Sequence, residues 1–472
     1  MIQFFRNSDI LRWGAVVLVF LVIRLPLLLS QGFDAYADEF SWILVGEYLA
    51  QGKQLYVEAW ERLEILTAWT YGGLYSIFGR NTLGYRLVGV MLGLLQVFLF
   101  RQAVRHPDLY RERTTLPTFI FVLLLHSHAT FLILSPTSIS LTFLLLALDR
   151  VFLLDERTTD YEIFRLGIYI GLASLAFFGS IAFLLFGLIS LGTFRGTKPR
   201  EYLVFLYGSF FPPLLFGLYL YQYGALELAL NQIIVPFVSI GQLVLTFTNG
   251  ILDAVFLILA AIGLLLGVFK VLQTTNFVNF QTVRHQAMTV WGVICFLGIL
   301  ITLDFSVYQS ILFMPMVAFF FPYFLMARYK KWRVELFFGI YTLLIFFSLY
   351  QSVFNYFNSS FYSAYADKVT LNSPPDFQDK RIWVLDTDPS WYQSNYPVMP
   401  YLDSRLFILD LQETQSHASL VELATEIRQN RPEIIIDPQR QFSIILKKIP
   451  LLREDYQPNA EETEWRLRNK DT

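Results

Sequence analysis

Asp34-Ala35-Tyr36-Ala37-Asp38-Glu39, running into the amphipathic segment 40–50, opens the stretch 31–84, and the reading of this stretch decides how the rest of the chain is understood. A turn at Gln51-Gly52 leads to a second acidic cluster, Glu58-Ala59-Trp60-Glu61-Arg62-Leu63-Glu64. The apolar segment 65–78 follows and ends at Gly79. Apolar runs flank the whole stretch, at 11–30 and 85–100. Carboxylates between two membrane-competent runs are costly unless they sit at the membrane surface. The stretch therefore reads as a surface loop that carries the chemistry, with the other spans as its frame.

Composition supports the membrane reading. Of 472 residues, 55% are hydrophobic, 17% aromatic and only 16% charged, and the mean hydropathy is +0.48. Soluble domains carry nearer a quarter charged residues. Runs of about 20 apolar residues recur along the chain, the length a membrane-spanning helix needs. A formal net charge of −2 offers no basic field for nucleic acid. The single cysteine, Cys295, rules out an intrachain disulfide and a cysteine-based zinc cluster, and it reads as a small core residue. Residues 1–12 followed by 13–30 have the pattern of a retained signal anchor.

Spans are expected at 11–30, 85–100, 116–132, 138–154, 164–178, 181–194, 202–221, 251–270, 287–303, 310–327 and 334–352. The status of 65–78 follows from charge. Arg101, Arg105, Arg111 and Arg113 crowd one connection. Arg150, Arg157 and Arg165 mark the next, followed by Arg195, Lys198 and Arg200. Lys270 with Arg284, and then Arg328, Lys330, Lys331 and Arg333, mark the last two. Connections 126–137, 178–180, 222–250 and 304–309 are almost free of Lys and Arg. Placing the basic connections in the cytoplasm requires that 65–78 does not cross, and its length is short for a span. The expectation is eleven spans, a cytoplasmic N-terminus, and both the 31–84 loop and the C-terminus outside.

After residue 352 the composition changes to a chain charged throughout. Segments 381–385, 406–409, 433–437 and 442–446 read as short strands, 419–429 as a helix stopped by Asn430-Arg431-Pro432, and the tail from 457 as loose. The expected division is 1–353 for the membrane domain and 354–472 for a small α/β domain on the outer, periplasmic side.

Asp34, Asp38 and Glu39 stand just before a helix, where one acid suffices to complement the helix end. The others can deprotonate an acceptor hydroxyl or amine, orient the base, or hold a divalent cation. Glu58, Glu61 and Glu64 recur every three residues and would share a face on a helix. Arg24 lies within the first span and needs a partner or a route to the surface. Arg62, Arg80 and Arg86 lie on the same outer side, and guanidinium groups suit a lipid phosphate. His126 and His128, two residues apart, do not share a helical face and do not read as a metal pair.

These pieces, in order, resemble the GT-C superfamily of polyprenyl-phosphate-sugar-dependent glycosyltransferases, in the branch of protein O-mannosyltransferases and the aminoarabinose transferase of lipid A. The resemblance rests on Arg24-Leu25-Pro26, Tyr36-Ala37-Asp38-Glu39, Gly52 to Tyr56, Trp60-Glu61, Phe78-Gly79 and Tyr85-Arg86-Leu87. It covers about 65 residues in detail, together with the span layout. It implies a polytopic α-helical fold of about eleven transmembrane helices, with interfacial helices in the first outer loop and a C-terminal periplasmic domain. It also implies transfer of a sugar from a polyprenyl phosphate to a periplasmic lipid, glycan or protein at the inner membrane. Asp38 would be the base, Glu39 its neighbour and Glu61 the acid of the second cluster, with Asp34, Arg24, Arg62, Arg86 and Glu58 toward the substrates. A divalent cation is the only cofactor in view.

The chain departs from the family pattern at three places. Arg62-Leu63-Glu64 stands where the family often has Lys-Pro-Pro, Phe178-Gly179-Ser180 where it often has a Lys, and Ser135 to Ser138 where an acid often follows the third span. A catalytically inactive scaffold of the same fold, binding protein partners through its periplasmic domain, is the second expectation. A transporter is a third. Few charges inside the spans and no paired broken spans stand against it.

Overall fold

A computed structural model describes residues 1–29, 37–59, 61, 63–106, 109–110, 112–155, 157–195, 198–231, 250–274, 276–302, 306–327, 331–354, 378–386, 389–402 and 417–468. A helix occupies each of the eleven stretches expected to span: α1 (Ile10–Leu29), α4 (Thr82–Val104), α5 (Leu116–Leu125), α6 (Pro136–Phe152), α7 (Asp160–Ala176), α8 (Phe183–Arg195), α9 (Pro199–Gln222), α10 (Gly250–Leu272), α11 (Asn279–Thr302), α12 (Met314–Leu325) and α13 (Lys331–Phe354). The 31–84 loop contributes two more, α2 (Ala37–Ala50) and α3 (Ile65–Phe78). Among the described residues, seven helical segments are long and apolar enough to cross a bilayer.

The shortest of the eleven, α5, corrects the expected span 116–132. Its helix stops at Leu125, and a 3-10 turn at Ala129–Phe131 follows. Every residue of α5 is buried, and so are Ala129 and Phe131 to Ser135. Non-helical backbone at membrane depth is tolerated only where protein covers it and satisfies its polar groups. Arg24 does part of that work: its Nη2 donates to the Leu132 carbonyl at 2.8 Å and to Gly89 at 3.2 Å. The Tyr71 hydroxyl donates to the Leu134 carbonyl at 2.8 Å.

Close helix pairing uses small residues, as expected where lipid supplies no hydrophobic drive between helices. A Cβ on Gly167 would come 2.3 Å from the Phe205 carbonyl oxygen, and one on Gly171 2.3 Å from that of Ser209, so α7 and α9 touch backbone to backbone. In the loop, Gly46 plays the same part. A Cβ there would come 2.6 Å from the Tyr71 carbonyl oxygen, which seats α2 against α3.

The C-terminal part is a small five-stranded sheet domain with strand order β2-β1-β3-β5-β4. Strands β1 (Arg381–Val384) and β3 (Ile434–Ile436) are parallel, β2 (Tyr396–Pro397) is parallel to β1, and α14 (His417–Asn430) precedes β3. Strands β4 (Tyr456–Pro458) and β5 (Glu464–Leu467) complete it antiparallel. Two expectations fail here. Segment 442–446 lies in a helix, α15 (Gln441–Lys448), because Asp437 accepts hydrogen bonds from the Gln441 and Phe442 amides at 2.7 Å each and starts a helical turn. The tail is not loose over 457–468, because β4 and β5 pair and bury Tyr456 and Trp465. The expected strand 406–409 lies outside the described residues.

Alternation along β1 gives the sheet two faces. Trp383 joins Ile435, Phe442 and Trp465 in the domain's own core. Ile382 and Val384 join Ile434, Ile436, Tyr48 and Ile43 in a core shared with the 31–84 loop. At the opposite end of the bundle, the N-terminal ammonium pairs with Glu335 at 3.0 Å and Arg6 with Glu112 at 2.6 Å.

Candidate active site

Helix α2 was expected to be amphipathic and is instead covered on nearly every side. From Glu39 to Tyr48 only Ser41 is not fully buried. Helix α3 packs on one flank through Gly46, and the C-terminal domain seats on the far end, where the Tyr48 hydroxyl donates to the Met399 carbonyl at 2.8 Å.

The Asp38-Glu39 pair occupies the first turn of α2, and the two carboxylates separate completely. Asp38 is exposed. Glu39 is fully buried and accepts from Arg86 Nη2 at 3.1 Å, with Arg86 itself 3% exposed. Successive residues on a helix point about 100° apart, so one acid faces out while its neighbour is drawn into the core. The buried pair tethers the start of α2 to α4 and holds Asp38 at the surface, where its carboxylate can accept a proton.

Glu58, Glu61 and Glu64 do not share a helical face. The chain between α2 and α3 is irregular, with Tyr56 at a positive φ of 68°. Glu58 is exposed and accepts from the Gln54 amide at 2.8 Å, closing the turn. Glu61 is buried, between Ala59 and Leu63, which belong to the same core as Phe40 and Ile43. Glu64 precedes α3 and accepts from the Phe178 amide at 2.8 Å; burial pushes its carboxyl up to about 7. Asp34 and Arg62 lie outside the described residues. Among the described residues, no three His, Cys, Asp or Glu side chains come close enough to hold a metal ion together.

The arginines expected near a phosphate hold protein groups. Arg24 donates to the backbone carbonyls of Gly89 and Leu132, and Arg86 to Glu39. At the positions where the family often has a Lys or an acid, Ser180 and Ser140 bond each other at 2.6 Å, and Ser135 accepts from the Ser138 amide. His126 and His128 bond separately, to the Val122 carbonyl and the Thr130 hydroxyl.

The sequence reading missed one pair. Glu47, 2% exposed, meets Arg80 in a two-pronged bridge, Nε to Oε2 at 2.7 Å and Nη2 to Oε1 at 3.0 Å. The remaining prong, Nη1, donates to the carbonyls of Tyr392 at 2.7 Å and Asn395 at 3.0 Å. One guanidinium thus joins α2, the end of the loop and the C-terminal domain. The signal was a lone carboxylate within the apolar run 40–50, which needs a buried partner.

No protein-family model and no curated protein matches this chain. Among solved structures, ArnT from Cupriavidus metallidurans bound to undecaprenyl phosphate superposes with a TM-score of 0.61 at 12% identity, over 97% of this chain and 98% of that one. The chain is a polytopic helical membrane protein that shares the GT-C-like fold of that structure.

Proposed function

We propose that this protein is a glycosyltransferase that moves a sugar from a polyprenyl-phosphate donor to an acceptor at the periplasmic face of the inner membrane. The observation that carries the reading is Asp38: an exposed carboxylate on the first turn of α2, beside a buried Glu39–Arg86 pair that fixes the helix start. It sits in a frame whose solved counterpart holds undecaprenyl phosphate. Asp38 takes the proton from the acceptor as the acceptor attacks the anomeric carbon, and the lipid phosphate leaves. The positive end of α2 favours negative charge beside it. Glu39 positions Asp38 through Arg86, and Glu61 serves as the acid of the second cluster. Glu58 serves on the substrate side, a role that the resemblance also gives to Asp34 and Arg62, and Arg24 supports the frame. The membrane domain comprises 1–353 and the periplasmic domain 354–472.

Asp38→Asn is compared with wild type at equal membrane levels, with surface glycans scored by mass spectrometry. General-base removal costs roughly 100- to 10,000-fold in rate, so one modification should disappear. If Asp38→Asn restores a deletion phenotype with no glycan change, the catalytic reading fails. The second reading, an inactive scaffold binding partners through the periplasmic domain, then takes its place. It is favoured by one observation: Arg24, Arg80 and Arg86 each spend hydrogen bonds on protein groups.

A further inference from the structure

A cavity of about 220 Å3 lies beside Glu64, between the start of α3, helices α7, α8 and α9, and the 3-10 turn Phe178–Ala182. Its walls are apolar apart from Glu64, Tyr56, Ser174 and Ser209. Three of these have spent a donor on backbone: Tyr56 on Leu63 at 3.0 Å, Ser174 on Gly171 at 2.8 Å and Ser209 on Phe205 at 2.9 Å. Glu64 accepts from the Phe178 amide, and among the described residues no Lys or Arg lines the cavity. A carboxylate in an apolar wall without a countercharge is expensive. The wall toward lipid is α9, where Phe210 lines the cavity and is exposed along with Tyr207, Leu214 and Leu218.

We propose that this cavity binds an amphiphile bearing a primary ammonium group, with the aliphatic chain against α7 and α9 and the ammonium on Glu64. A cavity of roughly 150 Å3 admits benzene, so this one takes a short segment of a single chain. An ammonium supplies the positive charge that the lining lacks, whereas an alcohol of equal length supplies a hydrogen bond alone. The pairing requires ionised Glu64, whose carboxyl burial holds near 7. Binding is therefore fullest above that pH and is lost as pH falls through it. Tyr56 is the other titratable group in the lining, and burial keeps it neutral.

The test is equilibrium binding of radiolabelled dodecylamine and dodecanol to the full-length protein in nanodiscs, with empty nanodiscs subtracted. Dodecylamine should bind saturably at about pH 8 and at least about tenfold more weakly at about pH 5.5. Glu64→Gln should weaken the amine about tenfold or more and leave dodecanol unchanged. Ser174→Phe, which fills the cavity, should weaken both. Amine binding that is absent, equal to dodecanol in wild type, or unchanged in Glu64→Gln overturns the proposal. If Glu64→Gln does not fold, the pH dependence and Ser174→Phe still decide. No sugar donor is present, so the result is independent of the glycan assay.

Discussion

Arg86 and Glu39 show how much rests on single side chains in an apolar frame. Both are buried, and the pair joins α2 to α4. Arg86→Met leaves the Glu39 carboxylate in the core without its cation, a loss of about 3–5 kcal/mol. The unfolding temperature in detergent should drop accordingly, and Arg86→Met with Glu39→Gln should recover part of the loss because no unpaired charge remains. If the double variant is no more stable than the single one, the pair is not what holds α2. Arg24 found the partners that it was expected to need. Its depth in the first span was legible as a demand for partners, but the partners are carbonyls of the broken segment after α5. Nothing in the sequence around Leu132 marks those carbonyls as needing a donor.

At the scale of elements, periodicity and length placed the helices well. Helix α3 matches its expected bounds, 65–78, because an uninterrupted apolar run ending at Phe78-Gly79 has few alternatives. The stretch 442–446 shows the limit, since a short apolar run fits strand and helix equally. Asp437, five residues upstream of Phe442, settled it through two backbone hydrogen bonds. The close approach of α2 and α3 yields a further test. Gly46→Val places a side chain against the Tyr71 carbonyl and should cost about 1–3 kcal/mol. Thermal unfolding of the purified protein reads it, and unchanged stability would mean the two helices are not seated as described.

On the scale of the whole molecule, the C-terminal domain covers the end of α2 instead of hanging from a linker. Arg80 joins them, gripping Glu47 with two nitrogens and the carbonyls of Tyr392 and Asn395 with the third. Arg80→Ala should raise amide exchange in 389–402 and at the C-terminal end of α2 by roughly tenfold or more. Exchange in β1 and β3 should stay as in wild type, because their hydrogen bonds lie within the sheet. Unchanged protection at 389–402 would show that the domain is held by its apolar face alone.

Residues alone were enough for the polytopic helical class, the eleven helical stretches and the helix at 65–78. Each follows from local composition and spacing, which act whatever the rest of the chain does. Folding assigned the roles within the 31–84 loop. Asp38 is exposed and Glu39 buried because α4 brings Arg86 to one side of the helix only. Glu64 came to line an apolar cavity because α7 and α9 close over it. Burial and partnership depend on segments tens to hundreds of residues away, and no local pattern encodes them.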